Sequence, residues 1–405
     1  MDRLVTATIG LLLLAIFVAL VAHRLRLPYT VGLVITGISL AISPVHIKAV
    51  LTHDVIFDVI LPPLLFEAAI NIHWKELRKE ALPILTLALL GTVFAAAVMT
   101  LGMVAVLRWP LKQALLFSAL ISATDPVAVI AMFKDNNVRG RLRLLVESES
   151  LFNDGVAAVL FSLVLAGAQS TDVTPISSGK IALSIVEFAG GGLLAGACCA
   201  GVAILLVGRT TDYLVESSLT MVVAYGSFLL AEHFQCSGVL ATVCAGLVMG
   251  NIGILAQGEQ VRITKRGREF TLALWDFIAF IANSLVFLLI GLAVGGISFD
   301  ILGLQALAIV VVLVLISRAL TVYPICLAFN WSKWCIGASF QHVLWWGGLR
   351  GAFCLALVLS LDPSLLMRNQ IVVATFGVVV FSVVLQGLTM PFLLRVTGIS
   401  TSPSA

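Results

Sequence analysis

Thr124-Asp125-Pro126 and the octet ESESLFND, Glu147 to Asp154, fall within 31 residues and inside two adjacent apolar runs. Polar chemistry is expensive in such surroundings. An ionisable group at mid-bilayer costs on the order of 3 kcal/mol, so each such residue is a functional candidate by default. Pro126 removes a backbone donor and disfavours helical geometry at Asp125, so a helix over 111–133 is expected to open near Thr124. In lipid that opening is tolerated where the freed carbonyls line a cavity or face protein. Those carbonyls and the half-helix ends can bind an ion or balance a charge. A plain proline kink capped by the Thr-Asp pair is the competing reading.

On the next helix Ser150 and Asp154 are four apart and share a face, as do Glu149 and Asn153. Glu149 and Asp154 lie about 140° apart around the axis. One face therefore offers a carboxylate with a hydroxyl, which suits a hard cation that prefers oxygen ligands. The other offers Glu149, which needs a cationic partner. Arg350 in WWGGLRGAFCLAL is the expected partner, because Gly347, Gly348 and Gly351 permit unwound backbone or close approach and a guanidinium stays charged. A Glu149 to Arg350 pair would leave Asp154 as the titrating group.

Glu67 in LPPLLFEAAI follows Pro62-Pro63 and is expected to face the protein interior. It is either a direct ligand or a structural acid paired with Arg318 or a backbone donor. Glu187, Glu216, Glu232 and Asp300 lie near expected helix ends, where reaching the interface accounts for them. Asp54, Asp58 and Asp276 are intermediate, and Arg318 is a candidate packing partner for any of them. His53, His73 and His342 lie near expected ends, with no zinc spacing or nucleophile elbow.

The elements that must carry these side chains are membrane helices. The chain is 60% hydrophobic and 11% charged, with mean hydropathy +1.11, which matches a polytopic membrane protein and no soluble fold. Thirteen spans are expected, over 4–22, 28–43, 53–72, 81–106, 111–133, 144–168, 181–207, 212–233, 236–255, 270–296, 301–327, 337–360 and 370–396. The first reads as a span and not as a signal peptide. Of the 24 Lys and Arg, sixteen fall on one set of alternate loops, six on the other, and Arg318 and Arg350 inside apolar segments. This asymmetry predicts the N-terminus outside and the C-terminus in the cytoplasm. A net charge of +3 spread over short loops gives no basic stripe, and so no nucleic-acid partner. The seven cysteines lack C-x-x-C spacing and read as small apolar residues, Cys198, Cys199, Cys244 and Cys354 among them. Spans 1 to 6 and 8 to 13 can be read as two inverted six-helix repeats. The TDP triplet and the Arg350 stretch then occupy the fifth member of each, the pattern of transporters that bind at the midplane.

SATDPVAV, ESESLFNDGVAAVL and WWGGLRGA, in this order and with LPPLLFEAA upstream, resemble the monovalent cation/proton antiporter-1 family of sodium/proton exchangers. The resemblance covers essentially the whole chain. It implies a thirteen-helix homodimer with a dimer domain and a core domain containing two crossed, interrupted helices. On this chain the blocks would be 1–80 (dimer-domain helices 1 to 3), 81–168 (core helices 4 to 6) and 169–296 (a linker helix and dimer-domain helices 8 to 10). Residues 297–396 would be core helices 11 to 13, and 397–405 a short tail in place of the regulatory region that many such exchangers carry. The implied ligands of Na+ are Asp154, Ser150, the Thr124 carbonyl and Glu67, with Asp125 and Asn153 supporting and Glu149 with Arg350 as structural ion pair. The Asn153-Asp154 pair resembles the electroneutral branch. No cofactor is implied.

The expected activity is therefore exchange of a monovalent cation, Na+ or Li+, for H+, one for one, by competition at Asp154 with alternating access in a bacterial inner membrane. A K+/H+ antiporter would need the same acids. A cation channel would need a filter repeated around an axis, and an intramembrane hydrolase would need buried Asp pairs or Ser-His chemistry; neither pattern is visible.

Overall fold

The computed structural model describes residues 2–25, 28–43, 52–135, 138–169, 178–255 and 263–399. Arg26, Lys48 and Arg262 of the loop charges, and the tail beyond residue 399, lie outside the described residues. Among those described the chain is all helical, with no strand. The helices of eight residues or more are α1 (Asp2–Leu25), α2 (Tyr29–Ile42), α3 (Leu61–Ile70), α4 (Ala81–Leu107), α5 (Leu111–Ile121), α6 (Val127–Asp135), α7 (Arg141–Gln169) and α8 (Ser178–Val207). They continue with α9 (Tyr213–His233), α10 (Gly238–Val248), α11 (Lys265–Gly295), α12 (Leu304–Ala328), α13 (Ala338–Trp346), α14 (Ala352–Leu359) and α15 (Arg368–Val396).

Seven of these, α4, α7, α8, α9, α11, α12 and α15, are long and apolar enough to cross a membrane by length and composition. Other helices overlie the remaining expected spans, and two of those spans, 111–133 and 337–360, are each a pair of half-helices. The outward faces are apolar: Leu194 on α8 is 68% exposed and Val222 on α9 is 65% exposed. Such surfaces are stable against lipid tails and costly against water. The protein is an integral, multi-pass membrane protein.

Two compact units are present, 1–56 with 82–153 and 283–405, and 57–81 with 154–282. In the first unit α4 packs on α5 and α12, α12 on α13, and α14 on α15. α1 and α2 belong to this unit. A wide, π-type turn at Thr86–Gly91 interrupts the regular winding of α4. In the second unit α3, α8, α9 and α10 pack together. Its core contains Phe66 and Trp275 with ring centroids 4.7 Å apart. The Trp275 indole donates to Thr220 Oγ1 at 2.9 Å, which satisfies the one polar atom that ring brings into the core. Of the four cysteines singled out, Cys354 is buried, Cys199 and Cys244 are partly buried and Cys198 is exposed.

Glu216 departs from expectation. It is fully buried and does not reach an interface. Its carboxylate accepts from Thr264 N at 3.1 Å and from Thr264 Oγ1 at 2.8 Å. Thr264 Oγ1 in turn accepts from Gly267 N at 3.0 Å, so the acid secures the residue that caps the start of α11.

Candidate functional site

The first unit holds both helix breaks. α5 stops at Ile121 and α6 starts at Val127, because Pro126 can begin a helix but cannot continue one. Ile130 N donates to Pro126 O at 2.8 Å, the first bond of the restarted helix. The second break runs from Gly347 to Gly351, between α13 and α14. The two breaks are bonded to each other: Asp125 N donates to Leu349 O at 2.8 Å.

Charged side chains compensate the ends that the breaks create. Asp125 Oδ1 accepts from Val127 N at 2.9 Å, and Oδ2 lies 3.4 Å from Ala352 N, so one carboxylate serves the amino ends of α6 and α14. Arg350 Nη1 donates to Ser122 O at 2.9 Å and Ala123 O at 2.7 Å, at the carboxyl end of α5. Arg318 Nη2 donates to Leu344 O at 3.1 Å, near the carboxyl end of α13. The glycines expected to permit close approach do so. A Cβ at Gly351 would run into the Asp125 carboxylate, and one at Gly348 would sit 2.7 Å from Arg318 Nε.

The ion pair differs from the sequence expectation. Both carboxylate oxygens of Glu149 accept from Arg318, at 2.8 and 2.9 Å. The Glu149 to Arg350 pairing is thereby corrected. Arg350 lies within a break, where its guanidinium meets carbonyls that have lost their helical donors, whereas Arg318 projects from the continuous helix α12. Glu149 is 1% exposed and Arg318 6%, so each charge depends on the other.

A second polar set surrounds Thr124. Asn153 Nδ2 donates to Ser122 O and to Thr124 Oγ1, both at 3.1 Å. Thr124 Oγ1 and Ser150 Oγ are 2.9 Å apart. The carbonyls of the first break are therefore unequally served. Ser122 O takes donors from Asn153 and Arg350, and Ala123 O takes Arg350 and the Cys354 thiol. Among the described residues no donor reaches Thr124 O.

Of the residues singled out in the sequence, the structure gathers Thr124, Asp125, Glu149, Ser150, Asn153 and Arg350 in the first unit. Asp154 follows Asn153 on α7, one turn after Ser150, and is 6% exposed. Glu67 lies on α3 of the second unit, where its Oε1 accepts from Asn71 Nδ2 at 2.9 Å. No group of three or more His, Cys, Asp or Glu side chains that could hold a metal occurs among the described residues. Sequence reasoning offered Arg318 to Glu67, Asp54, Asp58 or Asp276 and not to Glu149, which it meets in the structure, and passed over Thr92, whose hydroxyl lies 2.7 Å from Asn153 Oδ1.

The chain is similar in sequence and in fold to known proteins. The family described as sodium/hydrogen exchanger, transmembrane, matches residues 11–396. The chain is 39% identical over 383 residues to the Na(+)/H(+) antiporter ApNhaP of Aphanothece halophytica, covering 92% of this chain and 70% of that one. It is 32% identical over 407 residues to the Na(+)/H(+) antiporter NhaH of Halobacillus aidingensis, covering 96% and 97%. The solved sodium proton antiporter MjNhaP1 of Methanocaldococcus jannaschii superposes with a TM-score of 0.74 at 19% identity, over 98% of this chain and all of that one. That likeness is one of fold. The chain belongs to the sodium/hydrogen exchanger family, a family of monovalent cation/proton antiporters.

Proposed function

We propose that this chain exchanges a monovalent cation, Na+ or Li+, for H+ across a bacterial inner membrane, one for one, with cation and proton competing for Asp154. The reading rests first on one observation: the bidentate bond between Glu149 and Arg318 neutralises both groups inside the first unit. Asp125 is committed to two helix ends. Asp154 is then the acid we assign to the exchange.

The proposed cation ligands are Asp154, Ser150, the Thr124 carbonyl and Glu67. The Thr124 carbonyl is supported by its lack of a donor among the described residues while Ser122 O and Ala123 O are occupied. Ser150 and Asp154 are supported by their register on α7. Glu67 rests on the family resemblance. Asn153 and Asp125 support the cation site by holding the Thr124 segment in place. Transport by motion of a core domain against a dimer domain, in a homodimer with its N-terminus outside, completes the proposal.

Proton flux in proteoliposomes, driven by Na+, Li+ and K+ in turn, tests it. Flux with Na+ or Li+ is expected. Flux with K+ alone would make the protein a potassium/proton exchanger, and cation flux without counter-moving protons would make it a channel.

A further inference from the structure

Thr92 lies on α4 directly after the wide turn Thr86–Gly91 and is 3% exposed. Such turns present side chains that a regular helix would aim elsewhere. Its Oγ1 is 2.7 Å from Asn153 Oδ1 and 2.6 Å from Ala88 O. The orientation of the Asn153 amide follows from its other partners. One amide atom faces the Ser122 carbonyl at 3.1 Å, and a carbonyl only accepts, so that atom is the nitrogen. Oδ1 therefore faces Thr92, and the bond forms with Thr92 as donor. A hydroxyl carries one proton, which Asn153 and Ala88 share. Among the described residues Oδ1 has no other donor.

The consequence reaches the Thr124 segment. The same amide occupies Ser122 O and one lone pair of Thr124 Oγ1. Were its oxygen left without a donor in a dry interior, the amide would gain by turning away, and both of those bonds would be lost. We infer that Thr92 is a positioning residue for the cation: its hydroxyl orients Asn153 so that Ser122 O stays occupied and Thr124 stays fixed. This rests on the exchange reading in assigning the Thr124 segment to the cation.

The test compares T92V, which keeps the shape and removes the donor, with T92S, which keeps the donor. The full chain is reconstituted, and apparent KM for Na+ is separated from kcat in Na+-driven proton flux. Sodium-dependent thermal protection in detergent is measured beside it as a readout of binding alone. T92V is expected to raise KM, and the Na+ concentration giving half-protection, about three- to tenfold, with kcat little changed and T92S close to the parent. A T92V protein with the parent's KM overturns the inference, as does a T92S protein as impaired as T92V, or a loss confined to kcat. Absence of Na+-driven flux in the parent would instead defeat the exchange reading. The protection curves would still decide the role of Thr92: weaker Na+ protection in T92V supports it, and equal or no protection overturns it.

Discussion

Glu149 and Arg318 are 169 residues apart in sequence and are joined at their side chains by two hydrogen bonds, of 2.8 and 2.9 Å. Bidentate geometry of this kind fixes the orientation of both groups as well as their separation. Arg318 also donates to Leu344 O, so the pair links α7, α12 and the end of α13. Whatever else moves in the first unit, these three elements share one electrostatic joint.

Glu149→Ala and Arg318→Ala are each expected to destabilise the protein by about 3 to 5 kcal/mol, because either leaves the other charge buried and unpaired. Replacing both with apolar residues recovers part of the loss. A double-mutant cycle on thermal unfolding in detergent checks the assignment. Strong coupling between 149 and 318 is expected, and little between 149 and 350. The reverse pattern would return Glu149 to Arg350.

Asp154→Asn preserves volume and removes the change of charge at the proposed exchange position. The folded variant is expected to show no cation-dependent proton movement in proteoliposomes. Substantial exchange by that variant would refute the role of Asp154.

Gly351→Ala places a methyl group where the Asp125 carboxylate lies. Asp125 must then leave one or both helix amino ends, and both the thermal midpoint and the exchange rate are expected to fall. Gly226→Ala on α9 meets nothing within 4 Å and serves as the control, with parent-like behaviour. Equal tolerance of the two substitutions would mean that the carboxylate at the break can move without consequence.

The break at Thr124 was legible in the sequence because its cause is local: Pro126 has no N–H to give, whatever surrounds it. The register of Ser150 and Asp154 was legible for the same reason, since helix geometry alone sets it. The partner of Glu149 was not. Arg318 and Arg350 both sit in apolar runs, and the choice between them depends on which helix faces α7, a contact that no periodicity encodes. Glu216 was misjudged because closeness to a helix end is not exposure. Thr264, two residues before Arg266 and at the start of a helical run, was the available sign of a cap that a carboxylate could hold. Thr92 gave no sign, since a threonine bonded to the carbonyl four residues back is ordinary in a helix.

Electrical balance is the sharpest consequence of Asn153 standing beside Asp154. Asn153 is neutral at every pH, and its amide is bonded to Ser122 O and Thr124 Oγ1. Glu149 is held by Arg318, so only Asp154 changes state in the proposed cycle, and the cation-loaded and proton-loaded carriers have the same charge. A potential of 100 mV is worth about 2.3 kcal/mol per charge moved fully across. An exchanger moving two protons per cation would respond strongly to it. With the membrane potential clamped by potassium and valinomycin, Na+-driven proton flux is expected to stay nearly constant as the potential is varied. A several-fold acceleration or slowing would mean that another buried acid, Asp125 or Glu67, also carries protons, and the single-carboxylate cycle would fail.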